Sequence, residues 1–345
     1  MNRLIAHRSN IFGDEIAYVE SYDFSKANLN DESRLDVITL IASICYQSPK
    51  SHGSESLYNR LMAESGGLPS SSFEFVPMLF KKLYLDTIFG ITNSYGLVLE
   101  DTNILKYGEK IIHDDEEYLL TNFRAVVYDF ENLGIDLRDH FNTEAECAII
   151  AKHFKVFKMK VDMPTFGQAV RHRINWQVLS RRYVPGSRVP FSFYIADQMK
   201  KVTSSNFLSE KTTDLIYRKD TEIELDVEDL INISLTMYKA ALAAGVKPQI
   251  ARGIIPQCAY TVAWCAFQSK QFDSFINLRT DTHAQPEIQQ LSSAMRDIER
   301  EKEIFNRMQD YADGKTVLAT KEEMQELINS CNDSEPGGDA WHFKN

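Results

Sequence analysis

Four arginines and a histidine lie close together in one short segment of the chain. Residues 171–183 begin with Arg-His-Arg and continue, after a spacer of six residues, with Ser180-Arg181-Arg182. Guanidinium groups bind phosphate through paired N–H donors, and a nearby hydroxyl adds another donor. The segment therefore predicts a site for a small phosphorylated ligand. Two other interpretations stay open at this point: a solvated, salt-bridged surface, or nucleic acid stacked on Trp176 and Tyr183.

The overall charge argues against nucleic acid as the ligand. The chain has 345 residues, with 38 Lys and Arg against 49 Asp and Glu, a net charge of −11. Such a balance repels nucleic acid and anionic membranes unless the cations are gathered locally. No extended basic stripe is present, and neither a P-loop nor a G-x-G-x-x-G loop follows a predicted strand. We therefore expect an arginine-based phosphate site, without nucleic acid.

The cysteines and the apolar runs indicate where the protein works. Five cysteines are widely spread with no C-x-x-C pair, which favours reduced thiols and predicts no metal site. No apolar stretch reaches the roughly 20 residues that a membrane-spanning helix needs. We expect a cytoplasmic protein with no membrane association.

Three further sequence blocks accompany the arginine segment. They read SSFEF from residue 71, ARGIIP from residue 251, and FINLR from residue 275 followed by HAQPEI from residue 283. Taken with Arg-His-Arg and Ser-x-Arg, these blocks in this order resemble the flavin-dependent thymidylate synthases, the ThyX family. The resemblance implies an α+β fold, in which a twisted antiparallel sheet is flanked by helices, with an additional helical region in this chain.

The resemblance also implies an activity. Members of the family are flavin-dependent methyltransferases that convert dUMP to dTMP reductively, with FAD as cofactor and with NADPH and methylenetetrahydrofolate as co-substrates. They are homotetramers whose active sites lie between subunits. Two alternatives stay open: a related flavoenzyme that makes another C5-modified pyrimidine nucleotide, and a non-catalytic nucleotide-binding protein.

Site residues follow from the matching positions. For Arg279 the resemblance implies a catalytic role beside the uracil, where a cation stabilises negative charge on the ring oxygens. Ser180 and Arg182 are expected nearer the phosphate. The residues expected to bind dUMP are Gln168, Arg171, Ser180, Arg181, Arg182, Arg252 and Arg279. Those expected to bind FAD are Ser71, Glu74, His172, Arg173, Leu278 and His283.

One flavin contact departs from the family pattern. Where the family commonly has Asn-x-Arg, this chain has Gln268-Ser269-Lys270, and a lysine cannot reproduce the planar fork of a guanidinium. The run from Asn122 to Ala125, with Arg124 inside it, resembles the missing element out of order. We hypothesise that Asn122 and Arg124 supply a substitute contact to FAD.

The elements that must position these residues can be predicted in part. Alternation over Val156–Val161 predicts a half-buried strand. Apolar spacing and start and stop signals predict helices over Asp31–Ser48, Ser54–Glu64, Asp226–Ala244, Thr261–Leu278 and Gln285–Tyr311. We divide the chain into an N-terminal part of the core, 1–83; an insert of unknown role, 84–155, expected to be a peripheral helical addition; the rest of the core, 156–330; and a polar tail, 331–345.

Overall fold

The computed structural model describes residues 5–24, 29, 31–46, 53–62, 69–92, 102–133, 137–202 and 225–312. The predicted polar tail, 331–345, lies outside the described residues. The chain divides into two compact units, residues 1–295 and residues 296–345. None of the described helices is both long and apolar enough to cross a membrane.

Two antiparallel sheets organise the described part of the chain, so its α+β class is confirmed. The larger sheet has the strand order β1-β2-β6-β8-β7 and the smaller has the order β3-β5-β4. The strands are β1 Ile5–Ile11, β2 Asp14–Asp23, β3 Pro77–Lys81, β4 Glu109–His113, β5 Glu116–Asn122, β6 Phe154–Asp162, β7 Asn175–Val178 and β8 Tyr260–Gln268.

Helices connect and cover these strands. They are α1 Asp31–Tyr46, α2 Glu55–Met62, α3 Lys82–Thr92, α4 Asn103–Lys106, α5 Phe123–Leu133, α6 Glu144–His153, α7 Met163–Ala169, α8 Val227–Ala243, α9 Pro248–Ala251, α10 Ser269–Arg279 and α11 Pro286–Ala312. Short 3-10 turns at Ser71–Phe75 and Arg252–Ile254 carry predicted site residues.

Several predicted elements are confirmed with shifted ends. The strand predicted over Val156–Val161 lies within β6, where Phe157 and Met159 are buried and Lys158 is partly exposed, as the alternation requires. The helices predicted from Asp31, Ser54 and Gln285 correspond to α1, α2 and α11. The helix predicted from Asp226 is α8, and Asp226 begins it with a capping box in which the Asp226 and Asp229 side chains bond each other's backbone N–H.

The helix predicted over Thr261–Leu278 is wrong in its first half. Tyr260–Gln268 forms β8, and only Ser269–Arg279 is helical. β8 lies between β6 and β7 and is buried almost throughout, so apolar residues follow one another on both faces. A strand covered on both faces lacks the period of two that identifies a half-exposed strand.

The insert, 84–155, is not only helical. It contains β4 and β5, joined by a two-residue turn in which Asp114 and Asp115 have positive φ values of 49° and 61°. Hairpins favour such turns because their twist matches that of the strands, and aspartate tolerates this backbone region. β5 pairs with β3, so the insert completes a sheet that starts in the N-terminal part of the chain.

The insert also contributes to the main hydrophobic core. Leu120, Phe123 and Val126 are buried in the same apolar cluster as Phe73 and Phe75. The Phe123 ring stacks on the Phe73 ring with 5.7 Å between centroids. Residues 102–133 are therefore integrated with the core, in contrast to the peripheral addition that we predicted; the boundaries at 84 and 155 stay a prediction.

Two isoleucines of the insert test this integration. Ile104 is fully buried and Ile112 is 76% exposed. We expect Ile104→Ala to lower the free energy of unfolding by about 2–5 kcal/mol, because the cavity cannot collapse fully. Ile112→Ala should change it by less than about 0.5 kcal/mol. Urea denaturation followed by circular dichroism measures both, and equal small effects would contradict the integration.

Candidate functional site

The end of α10 is bonded to the segment that carries the Arg-His-Arg motif. Arg279, the last residue of α10, donates from Nε to Nε2 of His172 at 2.9 Å and from Nη2 to the main-chain oxygen of Gln168 at 2.9 Å. The His172 ring also packs edge-on against Phe275, one helical turn before Arg279, at 4.8 Å. Three of the predicted site residues are thus brought together by hydrogen bonds.

The hydrogen bond from Arg279 determines which ring nitrogen of His172 carries the proton. Because Nε2 accepts this hydrogen bond, the neutral ring carries its own proton on Nδ1. Partial burial and then the neighbouring Arg279 charge lower the pKa of His172 below its ordinary value of 6.5. A neutral imidazole can keep accepting from Arg279, which holds the guanidinium in one orientation.

Gln168 and His283 lie on the α11 side of this cluster. The Gln168 side chain donates to the side-chain oxygen of Gln285, a residue that we had not predicted. His283 is exposed, and its backbone N and ring Nδ1 both contact the Asp281 carboxylate, at 2.8 and 2.7 Å. These hydrogen bonds lower the pKa of Asp281. Leu278, the other predicted flavin residue here, presents its side chain to solvent.

The two arginines of the Ser180-Arg181-Arg182 segment have different surroundings, since Arg181 is partly buried and Arg182 is exposed. Ser180 begins a turn, since its carbonyl accepts from the N–H groups of Tyr183 and Val184. The Arg181 guanidinium donates to the carbonyl of Val189 at 2.6 Å. It also lies 4.1 Å from the centroid of the Phe191 ring, and burial lowers its pKa. Arg181 thus contacts other groups of the protein. Its role toward dUMP stays a prediction.

Four predicted arginines remain exposed. None of them forms an ion pair with a carboxylate of the described residues. They are Arg171, Arg173, Arg182 and Arg252. In a chain with 49 acidic residues, these exposed cations without such partners are available to an anion. This set is the strongest feature of the candidate site.

The predicted flavin turn, Ser71–Phe75, is bonded to strand β7. The Ser71 hydroxyl donates to the side-chain oxygen of Gln177 at 2.9 Å, and the Gln177 amide nitrogen donates to the Cys45 sulfur at 3.1 Å. The Asn175 amide donates to the Glu74 main-chain oxygen at 3.4 Å. The motifs did not identify these β7 residues. Their spacing of two, which places alternate side chains of a strand on one face, is the signal that could have found them.

The same turn is bonded to the insert. Arg124 donates from Nε to the Pro69 carbonyl at 3.0 Å, and its Nη1 forms an ion pair with the Glu74 carboxylate. Asn122 accepts from the N–H of Ala125 at 3.0 Å, so its side chain caps the start of α5. The structure thus brings Arg124 to one predicted flavin residue, Glu74, and to Pro69 beside the turn. Direct contact of Asn122 and Arg124 with FAD stays a prediction.

Gln268-Ser269-Lys270 has other partners. The Gln268 backbone N–H donates to the side-chain oxygen of Gln271 at 2.9 Å, as part of the capping box that starts α10. Lys270 lies 3.6 Å from the Glu109 carboxylate of the insert. This segment therefore connects α10 to β4. Among the described residues, no group of three or more His, Cys, Asp or Glu side chains is arranged to hold a metal ion.

Comparisons with known proteins converge on one family. A sequence model described as "Thymidylate synthase complementing protein" matches residues 148–302. Proteins named flavin-dependent thymidylate synthase from Thermotoga neapolitana and Thermosipho africanus are each 33% identical to this chain over 150 residues. A protein of the same name from Aquifex aeolicus is 25% identical over 193 residues, which are 54% of this chain and 58% of that protein.

The first two matches cover 43% of this chain, and 62% and 64% of the respective relatives. The chain thus spans slightly less than two thirds of the length of these curated relatives. The resemblance predicted from the motifs is confirmed over the matched segment, which contains the Arg-His-Arg motif, Arg252 and Arg279 but not the Ser71–Phe75 turn or the insert helix α5.

The contact between Arg279 and His172 can be tested by titration. We expect Arg279→Gln to raise the pKa of His172 toward 6.5, because the substitution removes a neighbouring positive charge. Burial, the larger cause, remains, so the return should be partial. NMR of the imidazole carbons measures the shift, and Arg60→Gln, at an exposed residue of α2, is the control. An unchanged titration in Arg279→Gln would contradict the geometry.

Proposed function

Because residues 148–302 match the thymidylate synthase complementing protein family, we propose that this chain is a flavin-dependent thymidylate synthase. It would methylate dUMP reductively to dTMP, with FAD as cofactor and with methylenetetrahydrofolate and NADPH as co-substrates. The observation that carries the proposal is that the matched segment contains both a set of exposed arginines and an Arg279 that is held by two hydrogen bonds. We also propose a cytoplasmic location.

The arginines suit the two parts of dUMP. Arg182 is exposed and follows Ser180 by two residues, so a guanidinium and a hydroxyl can share the phosphate dianion. Arg279 is held by His172 and by the Gln168 carbonyl, so its orientation needs little adjustment when substrate binds. A preoriented cation beside the uracil oxygens stabilises the negative charge that makes C5 nucleophilic. Arg171 and Arg252 add positive charge within the matched residues, 148–302.

The residues proposed for FAD fit that group in part. Arg173 is an exposed cation for a pyrophosphate, and Leu278 is an exposed apolar side chain for a ring surface. His283 is exposed and lies at the N-terminal side of α11. When bound, FAD supplies the reducing equivalents, and the residues of this chain bind and orient it. Ser71 and Glu74 face β7 and Arg124, so their contribution depends on that packing.

An exposed stripe on α8 supports a homo-oligomer. Leu230, Ile233 and Met237 are all exposed, and their spacing of three and four residues places them on one side of the helix. Ile231 and Tyr238 bury a different side. Isolated apolar side chains on a surface are ordinary, but an aligned row is typical of an interface. We propose a homotetramer with active sites between subunits.

The stripe predicts a change in assembly. The double substitution Leu230→Glu with Met237→Glu should shift the protein toward monomers, because charged groups would be buried without partners. Light scattering coupled to size-exclusion chromatography measures the mass. Lys239→Glu, an exposed charge change on the same helix outside the stripe, should leave the mass unchanged. A monomeric wild-type protein would refute the oligomer.

The activity predicts a dUMP-dependent oxidation of NADPH that is measured with and without methylenetetrahydrofolate. Arg182→Gln should raise the KM for dUMP about tenfold to a hundredfold, the equivalent of one lost charge-assisted hydrogen bond. Arg279→Gln should mainly lower kcat, and Arg60→Gln, on the exposed side of α2, should change neither constant.

Two outcomes distinguish the alternatives. Mass spectrometry of the nucleotide product separates dTMP from another C5-modified pyrimidine. Purified protein that shows no flavin absorbance and takes up no added FAD would refute a flavoenzyme and leave a nucleotide-binding protein.

A further inference from the structure

Arg124 links the two ends of the Ser71–Phe75 turn. Its Nε bonds the carbonyl of Pro69, just before the turn, and its Nη1 pairs with the Glu74 carboxylate, near the end of the turn. A guanidinium can reach two acceptors in fixed directions at once, and a lysine ammonium cannot reproduce that fork. The side chains of Arg124 and Glu74 are 30% and 22% exposed, so the pair is partly shielded from water.

The helix that carries Arg124 is itself fixed against the turn. Asn122 caps the first turn of α5, and Phe123, next to Arg124, stacks on Phe73 within the Ser71–Phe75 turn at 5.7 Å. A further backbone bond runs from the N–H of Phe123 to the Val76 carbonyl at 2.8 Å. The backbone, an aromatic stack and an ion pair therefore hold α5 on one side of the turn.

Strand β7 holds the other side of the turn. Gln177 accepts from the Ser71 hydroxyl, and Asn175 donates to the Glu74 main-chain oxygen. β7 directly follows the Arg-His-Arg segment in the chain. The turn thus lies between the insert and β7, and a shift of the turn would change its contacts with both.

We propose that Arg124 is a positioning residue for flavin binding. It acts through Glu74 and the Pro69 carbonyl, and it keeps the Ser71–Phe75 turn in the shape that meets the cofactor. Helix α5 of the insert then stabilises this turn, although α5 lies outside residues 148–302, which match the family model. The inference rests on the proposed function, because it takes FAD as the ligand of the turn.

A double-mutant cycle on FAD affinity tests the inference. We expect Arg124→Lys to raise the Kd for FAD about tenfold and Glu74→Gln to raise it at least as much. In the Glu74→Gln background, Arg124→Lys should add less than about threefold, because the Glu74 carboxylate is already gone and only the Pro69 carbonyl remains as a partner. A full tenfold effect of Arg124→Lys in that background would show that Arg124 does not act through Glu74, and it would overturn the positioning role.

Controls separate this role from general stability. Lys81→Gln removes an exposed ion pair with Glu116 in the smaller sheet, and it should leave the Kd for FAD unchanged. The visible spectrum of bound flavin should shift in Arg124→Lys, since a displaced turn changes the surroundings of the ring. If Arg124→Lys lowers only the urea midpoint and leaves both the Kd and the spectrum unchanged, Arg124 is merely structural and the inference fails.

Two further outcomes complete the test. If Arg124→Lys folds poorly by circular dichroism, the comparison relies on Glu74→Gln, and an unchanged Kd there overturns the inference. If the wild-type chain takes up no FAD at all, the proposed function fails. If the wild-type chain and the Arg124→Lys variant bind FAD equally tightly, only the role of Arg124 is refuted.

Discussion

The pairing of β6 with β8 is the interaction on which the candidate site depends. The strands run antiparallel in an unbroken register from Phe154 opposite Gln268 to Asp162 opposite Tyr260. α7 starts at one end of this pair and α10 starts at the other. α10, which rises roughly 16 Å, runs back toward α7. Arg279 at its end then meets Gln168 near the end of α7. A slip of one residue would turn the buried Phe157 to the opposite face and would break this meeting.

This arrangement divides the positive charge of the chain into two kinds. Arg181 and Arg124 bond carbonyls or a carboxylate of the protein and keep loops in place. Arg182 and Arg252 are exposed and have no described carboxylate partner. The first kind shapes the site, and the second is available to an anion. An acidic chain thus uses some of its arginines as internal supports and leaves others exposed.

The sequence was informative where a local rule governed the structure. Capping at Asp226 and the apolar spacing after it predicted α8, and alternation predicted β6. β8 was mistaken for a helix because burial on both faces removes the alternation. The hairpin at Asp114 was missed because its turn contains no glycine. The first failure reflects tertiary burial, and the second reflects a turn that lacks its usual glycine.

The candidate site was likewise predicted only in part from the sequence. Motifs identified Arg279 and His172, which the structure brings into contact, but not Gln177, because a partner on a short strand leaves no motif. The contact of Arg124 with Glu74 joins positions far apart in the chain, and spacing cannot reveal such a pair. The motif near Arg124 nevertheless pointed to a segment that bonds the predicted flavin turn.

The order of the strands in the larger sheet has a consequence for synthesis. β1 and β2 form a hairpin at the start of the chain, yet β2 pairs next with β6, with Tyr18 opposite Lys160, and β6 with β8. During translation the open edge of β2 must wait until those later strands leave the ribosome. Non-local pairing of this kind slows folding and leaves strand edges open to wrong partners. The nascent chain can therefore complete this sheet only after β8 has left the ribosome.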